Sequence, residues 1–338
     1  MLSDQDLIQF RHTLHQHPEL SDQEVATAER IKRLFQRFNP DTTLEKIGGN
    51  GLAFCFDGKE SGPTTLIRCE LDALPIQEIN DLPYRSVCDG VSHKCGHDGH
   101  MAIVAALGSH LAENRPQRGR VICLFQPAEE TGAGAVNMVH DRQFEQLKPD
   151  YCFALHNLPG KPLGTVYCKP GAFNCASRGM IIRLKGKTSH AAHPEDGISP
   201  ALAMSNIIQQ LNQLPQQQEN EQMTGFNLVT VVYAHLGEIA FGTAPGAATV
   251  MATLRTSTNE AMDQLIERAT ERVQQQADDY QLSFSLEWDD VFRASVNSDS
   301  GYQMVKKACE ATGTPLVTPE EGFRWSEDFG IFTEVAQG

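Results

Sequence analysis

Three short apolar runs, residues 65–69, 121–125 and 151–155, each break off at groups that bind metals or move protons. The first runs into Glu70 and Asp72, the second into Gln126-Pro127-Ala128-Glu129-Glu130, and the third into His156-Asn157. All three read as strands, and the continuous runs at 121–125 and 151–155 as strands buried on both faces. A stretch rich in Ala, Ile, Val and Leu, residues 101–111, reads as a helix between the first two. Strands alternating with helices predict the α/β class, here a mostly parallel sheet flanked by helices. In such sheets the working residues lie just past the carboxyl ends of the strands, where Asp72, Glu129, Glu130 and His156 fall.

The densest chemistry is Cys95-Gly96-His97-Asp98-Gly99-His100, directly ahead of the predicted helix. A transition-metal site needs thiolate, imidazole or carboxylate ligands converging from several elements. Cys95 and His97 are two apart and can face one ion from an irregular segment. Asp72, Asp98 and His100 are candidates for support, because a ligating histidine needs a partner for its other ring nitrogen. Adjacent Glu129 and Glu130 can divide the labour, one on metal and one moving a proton. Taken singly, each feature has a plainer reading. Cys-x-His arises by chance, the glutamate pair suits a solvated loop, and His156 suits a satisfied buried histidine. A cysteine nucleophile at Cys95 with a distant histidine leaves the glutamate pair without a task. His12, His15, His17, His110, His140 and His235 read as surface or structural.

Residues 3–38 read as two helices, the second opened by a capping box at Ser21-Asp22-Gln23-Glu24. From about residue 178 a second pattern begins: strand, helix, two strands, helix, and a strictly alternating strand over residues 282–288. The order β-α-β-β-α-β predicts an inserted ferredoxin-like α+β domain over 178–290. The first domain then comprises 1–177 and 291–338. The inserted unit's layout leaves a sheet edge or helix face for dimerisation. The Gln-rich tract 209–222 reads as a helix end plus a solvated loop.

With 28 basic and 43 acidic residues, the net charge of −15 argues against nucleic acid or an anionic membrane as partner. No basic, then apolar, leader opens the chain, and no apolar run could span a bilayer. Nine cysteines, odd in number and scattered, fit a reducing cytoplasm better than a disulfide framework.

The chain resembles the M20 metallopeptidase superfamily, in particular its amidohydrolase branch of aminoacylase-, hippurate-hydrolase- and auxin-conjugate-hydrolase-like enzymes. The resemblance rests on RHTLHQHPELS (11–21), RCELDALPIQE (68–78), CGHDGH (95–100), FQPAEETGAGA (125–135), ALHNLPGKPLGTV (154–166), GKTSHAAHPEDGISP (186–200) and WSEDF (325–329). These run in order across nearly the whole chain. The resemblance implies a two-metal site of Zn, Mn, Co or Ni, with Cys95 bridging and His97, Glu130 and His156 as further ligands. It implies Glu129 as general acid/base and His190 as a carbonyl-polarising residue that reaches a partner subunit's site. The inserted unit is then a lid and dimerisation domain. The implied reaction is hydrolysis of the amide of a small N-acyl amino acid by metal-activated water. A di- or exopeptidase, or a catalytically impaired descendant that binds metal or ligand, are the rival readings.

The sequence departs from the family pattern at three places. Relatives carry Arg-Ala-Asp-Met-Asp where this chain has Arg68-Cys69-Glu70-Leu71-Asp72, which keeps the charge pattern. Relatives carry Asn-Val-Ile-Pro where this chain has Gly242-Thr243-Ala244-Pro245, which removes a substrate-facing amide. The family's last ligand is a histidine beyond Ser-Glu-Asp-Phe, whereas the last histidine here is His235. Two divalent ions are expected of an intact subunit; if Gly338 is the true end of the chain, weak or absent occupancy of the second is expected.

Overall fold

The computed structural model describes residues 1–216 and 225–336, so residues 217–222 of the Gln-rich tract lie outside the described residues. It divides into two compact units, one of residues 1–171, 295–320 and 327–338, the other of 172–294 and 321–326.

The first unit is built on five strands: β1 (Thr42–Ile47), β2 (Gly51–Asp57), β3 (Glu60–Glu70), β4 (Arg118–Gln126) and β5 (Tyr151–Ala154). Their order is β1-β2-β4-β3-β5. β3 pairs in parallel with both β4 and β5, while β2 is antiparallel to β1 and β4. The sheet is therefore mixed, with β2 alone running against the other four. β1 has no strong apolar signature; its residues alternate only loosely between cover and solvent, and the sequence reading passed over it.

Pleating sends alternate residues to opposite faces, and here both faces are covered. Leu52, Phe54, Phe56, Cys123 and Phe125 pack with Leu14, Ile31, Phe35, Met101 and Val104. These come from α1 (Asp4–Gln16), α2 (Val25–Gln36) and α3 (His97–Glu113). Ala53, Cys55, Ile122 and Leu124 face the opposite way and pack with Met138, Phe144 and Phe332, the first of these from α4 (Gly134–Val139). Gly108 lets α3 approach α2 closely, since a Cβ there would lie 2.5 Å from the Phe35 ring.

The predicted capping box at residues 21–24 does not form. Helix α2 begins at Val25 with no side-chain cap. Ser21 instead donates to Asp72 at 2.8 Å, and Glu24 accepts from the Ala128 N–H at 2.8 Å. Both polar groups have been drawn from a local role into the site below. The capping box that does form is Ser3 with Asp6, at the start of α1.

The main sheet of the second unit has four strands, β6 (Ala176–Lys185), β7 (Asn227–Leu236), β8 (Ala247–Thr256) and β9 (Ser283–Phe292), in the order β7-β8-β6-β9. All three neighbour pairs are antiparallel. Helices α5 (Ala201–Gln213) and α6 (Asn259–Asp279) set Ala203, Ile207, Leu211, Leu265, Ala269 and Val273 against Met180, Ile182, Leu184, Val250 and Leu254. Residues 321–326 join this unit through backbone bonds between Phe323 and both Phe173 and Cys175. All nine cysteines are free thiols. Among the described residues no helix is long and apolar enough to cross a membrane.

Candidate metal centre

The site lies at the carboxyl edge of the first unit's sheet, where β3, β4 and β5 release the chain side by side. Helix α3 opens into the same place. Its N-cap, Gly96, has φ +95°, a conformation that costs most residues about 1–3 kcal/mol. A Cβ there would sit 2.3 Å from Asn157 Oδ1. Glycine thus allows the tight turn that presents Cys95 and His97 to one point. Ala128, at φ +51°, makes the corresponding turn after β4 and aims Glu129 and Glu130.

Five predicted residues converge. Cys95 Sγ lies 3.3 Å from His156 Nε2. His97 Nε2 lies 3.8 Å from Glu129 and 3.7 Å from Glu130. Ligand atoms of Cys95, His97 and His156 form one mutually close set, and those of His97, Glu129 and Glu130 another.

The two histidines are held alike. His97 Nδ1 is 2.8 Å from the Asp72 carbonyl oxygen, and His156 Nδ1 is 2.8 Å from that of Asn157. A carbonyl accepts only, so in the neutral imidazole each Nδ1 carries the proton and each Nε2 turns a lone pair inward. This is the usual posture of a metal-ligating histidine. His97 Nε2 and Glu130 Oε1 are buried with no hydrogen-bond partner. Metal–ligand bonds of about 2.0–2.3 Å put ligand atoms roughly this far apart across an ion, too far to bond each other.

The supporting residues separate cleanly. Asp72 faces His97 and also accepts from Ser21 and the Glu130 N–H, at 2.8 and 3.0 Å. His100, one turn along α3 from His97, sets one ring nitrogen 2.6 Å from Glu70 and the other 2.8 Å from Asn157 Oδ1. Asp98 does not touch the ligand atoms among the described residues. Its place on α3 turns it away from the His97–His100 face, and it meets Arg11 at 2.9 Å and His15 at 3.0 Å. His15 in turn contacts Glu78, which accepts from Lys94 at 2.6 Å. These contacts pin the irregular chain before Cys95. His190 belongs to the second unit, where it is exposed on a short strand and pairs with Thr243.

Sequence reasoning gave no role to Glu70, Glu327, Asp328, Asn157 or Arg68. Arg68 is fully buried and donates to Glu70, to Asp328 at 2.6 Å and to Glu327 at 3.3 Å. Glu327 lies 3.5 Å from His156 Nε2. The WSEDF motif carried a signal for Glu327 and Asp328, but nothing local to it says which charges they meet.

The electrostatics favour cations. Glu70, Glu129, Glu327 and Asp328 act on one guanidinium, that of Arg68, and Asp72 and Glu130 add two more acids around His97. Burial, reinforced by Glu327 and Asp328, holds the Glu129 carboxyl well above its ordinary range. Burial raises Glu130 and pushes Glu327 up to about 7 and Asp328 up to about 6, against the pull of His97 on the first and of Arg68 on the other two. His97 is raised despite its burial, chiefly by Asp72. A proton is thus drawn to the spot where a divalent ion would replace it, and metal binding should release protons. Burial moves His156 down to about 4, leaving its lone pair ready. The donor chemistry, the inward lone pairs and the unpartnered atoms together fit a divalent metal.

Replacing Gly96 by alanine tests the turn. The expected outcome is roughly 10–100-fold weaker zinc binding, the loss typical when a ligand's support is disturbed, together with a lower thermal midpoint. Competition titration against a chromophoric chelator and a melting curve measure both.

A thiol, two imidazoles and paired carboxylates at the carboxyl edge of an α/β sheet define a metal-dependent hydrolase. Residues 66–338 match Peptidase family M20/M25/M40, and the chain belongs to that family. It is 30% identical over 336 residues to an N-acetyl-L-cysteine deacetylase of Bacillus subtilis (strain 168), covering 99% of this chain and 79% of the relative. It is 29% identical over 335 residues to the hippurate hydrolase of Campylobacter jejuni, covering 96% and 84%. Among solved structures it is similar to a Bacillus subtilis protein described as a dinuclear metal binding peptidase from the M20 family. The TM-score there is 0.82 at 29% identity, over 99% of this chain and 86% of that one.

Proposed function

We propose that this chain hydrolyses the amide bond of N-acyl amino acids, releasing a carboxylic acid and a free amino acid, with Glu129 as general acid/base. The observation that carries this reading is the convergence of His97 and His156 lone pairs and Cys95 beside a second, adjacent carboxylate. Cys95, His97, Glu130 and His156 would hold one or two ions of zinc, manganese, cobalt or nickel. Ions of this kind acidify water and polarise a carbonyl.

Glu129 takes the proton as water adds to the carbonyl carbon. It passes that proton to the amine nitrogen as the carbon–nitrogen bond breaks. Burial and the neighbouring carboxylates raise its proton affinity, which suits the return step. Asp72 fixes the His97 ring, and His100 ties α3 to the segment carrying His156. The carbonyl-polarising role for His190, a homodimer formed through the second unit, and a cytoplasmic location belong to the same proposal. Val232 and Tyr233 on β7, an edge strand, are exposed apolar residues in keeping with such a dimer. Sedimentation velocity checks the dimer, and kcat of His190→Ala checks the histidine.

The deciding experiment compares acetyl- and benzoyl-amino acids with free dipeptides, using protein loaded in turn with each of the four metals. Release of amino acid from the acylated compounds is expected. Dialysis against a chelator should abolish it, and restoring metal should recover it. Cleavage of dipeptides with none of the acylated compounds would make this a peptidase and overturn the proposal.

A further inference from the structure

We infer that Glu327 is itself a metal ligand, joining Cys95 and His156 through its Oε1 atom; this rests on the metal-site reading above. Three observations lead to it. His156 Nε2 meets Cys95 Sγ at 3.3 Å and Glu327 Oε1 at 3.5 Å. Its Nδ1 faces a backbone carbonyl, so in the neutral ring Nε2 is the acceptor turned toward the Cys95 thiol and the Glu327 carboxyl, three donor atoms that one ion would gather in place of their protons. The spacing suits atoms that share an ion.

The second observation is how Glu327 is aimed. Its neighbour Asp328 is fixed by Arg68 at 2.6 Å, by Gln126 at 2.6 Å and by the Ala135 N–H at 2.9 Å. These anchors, drawn from β3, β4 and α4, set the backbone from which Glu327 projects. Its Oε2 leans on Arg68, which leaves Oε1 directed at His156. A ligating carboxylate is ordinarily held in this way, with one oxygen bonded within the protein and the other presented to the ion.

The third observation bears on the plainer role, an ion-pair partner for Arg68. Glu327 makes the longest of that guanidinium's three carboxylate contacts, at 3.3 Å, whereas Asp328 and Glu70 sit closer. Arg68 is well paired without it. Glu327 is nonetheless buried, at 7% exposure, with its Oε1 3.5 Å from the His156 ring nitrogen. A carboxylate, a thiolate and an imidazole form a mixed donor set that suits zinc or cobalt.

The test titrates metal-free protein with Co2+, reading affinity and visible absorption together. The thiolate-to-cobalt charge-transfer band reports Cys95, and the ligand-field bands report the number and kind of donors. Glu327→Gln is expected to weaken one equivalent of Co2+ by more than the roughly 10–100-fold loss that follows when a supporting residue is removed. It should also change the ligand-field bands. Glu327→Asp keeps the charge opposite Arg68 but shortens the reach, and should lose the same equivalent while preserving the fold.

Unchanged bands in either folded variant overturn the inference, whatever happens to affinity, because a residue that only orients His156 leaves the donor set intact. Cys95→Ser separates this from the underlying site. If the native protein takes up no Co2+, or keeps its charge-transfer band without Cys95, the site itself is wrong and the inference falls with it. If that band is lost in Cys95→Ser while both Glu327 variants match the native spectrum, Glu327 alone is wrong.

Discussion

Glu129→Gln is expected to lower kcat/KM on an acylated amino acid by about 10²–10⁴-fold, the usual yield of one well-placed general acid/base, with metal content unchanged. Glutamine keeps the shape and can still accept the Asp328 N–H, so the fold is not at stake. It cannot take a proton from water or return one to the amine. The pH profile provides a second readout. The raised proton affinity of Glu129 means that its carboxylate form is lost as pH falls, and lost at a higher pH than for an ordinary glutamate. A cation in the site pulls the other way, so the acid limb of the metal-loaded enzyme should lie below that set by burial alone. The native profile should fall on its acid side, and Glu129→Gln should lack that limb. Near-normal turnover in a folded, metal-replete Glu129→Gln protein would remove Glu129 from the chemistry.

The parts of the fold and site that sequence alone discloses are those governed by local pattern. Buried strands announce themselves by unbroken apolar runs, and the rule that chemistry gathers at strand ends led to Glu129, Glu130 and His156. The structure brings these to Cys95 and His97. Partners chosen by tertiary structure were not legible. Ser21 and Glu24 have the spacing of a capping box, yet their side chains reach Asp72 and Ala128, because bonds to buried groups outweigh one helix cap. Asp98 sits among ligand types, but a single step along α3 turns it to Arg11 and His15. Arg68, Glu70, Glu327 and Asp328 are 2 and more than 250 positions apart in sequence, and no periodicity connects an arginine on β3 to acids near residue 328. β1 escaped notice because an edge strand, covered on fewer sides, needs no continuous apolar run.

Arg68→Met is expected to destabilise the metal-free protein by about 3–5 kcal/mol, the cost of breaking a buried ion pair from one side. Methionine fills much of the same volume, so the loss measures charge more than cavity. Glu70, which burial alone would raise, is held well below its usual range by Arg68 and His100. Without the guanidinium, Glu70, Glu327 and Asp328 lose the cation they share, Glu70 keeping His100 and Asp328 keeping Gln126 and the Ala135 N–H, and their folded-state proton affinities rise. An acid whose folded pKa exceeds its unfolded one destabilises the fold increasingly as pH climbs through that window. Native Glu327 and Asp328 already hold protons to about 7 and about 6, and the variant extends the window upward. The difference between variant and native protein should therefore be larger at pH 8 than at pH 6, where protonation neutralises part of the orphaned charge. Urea unfolding at both values measures it. A penalty equal at the two pH values would show that Arg68 acts by filling space, and that the acids near residue 328 do not depend on it for their charge.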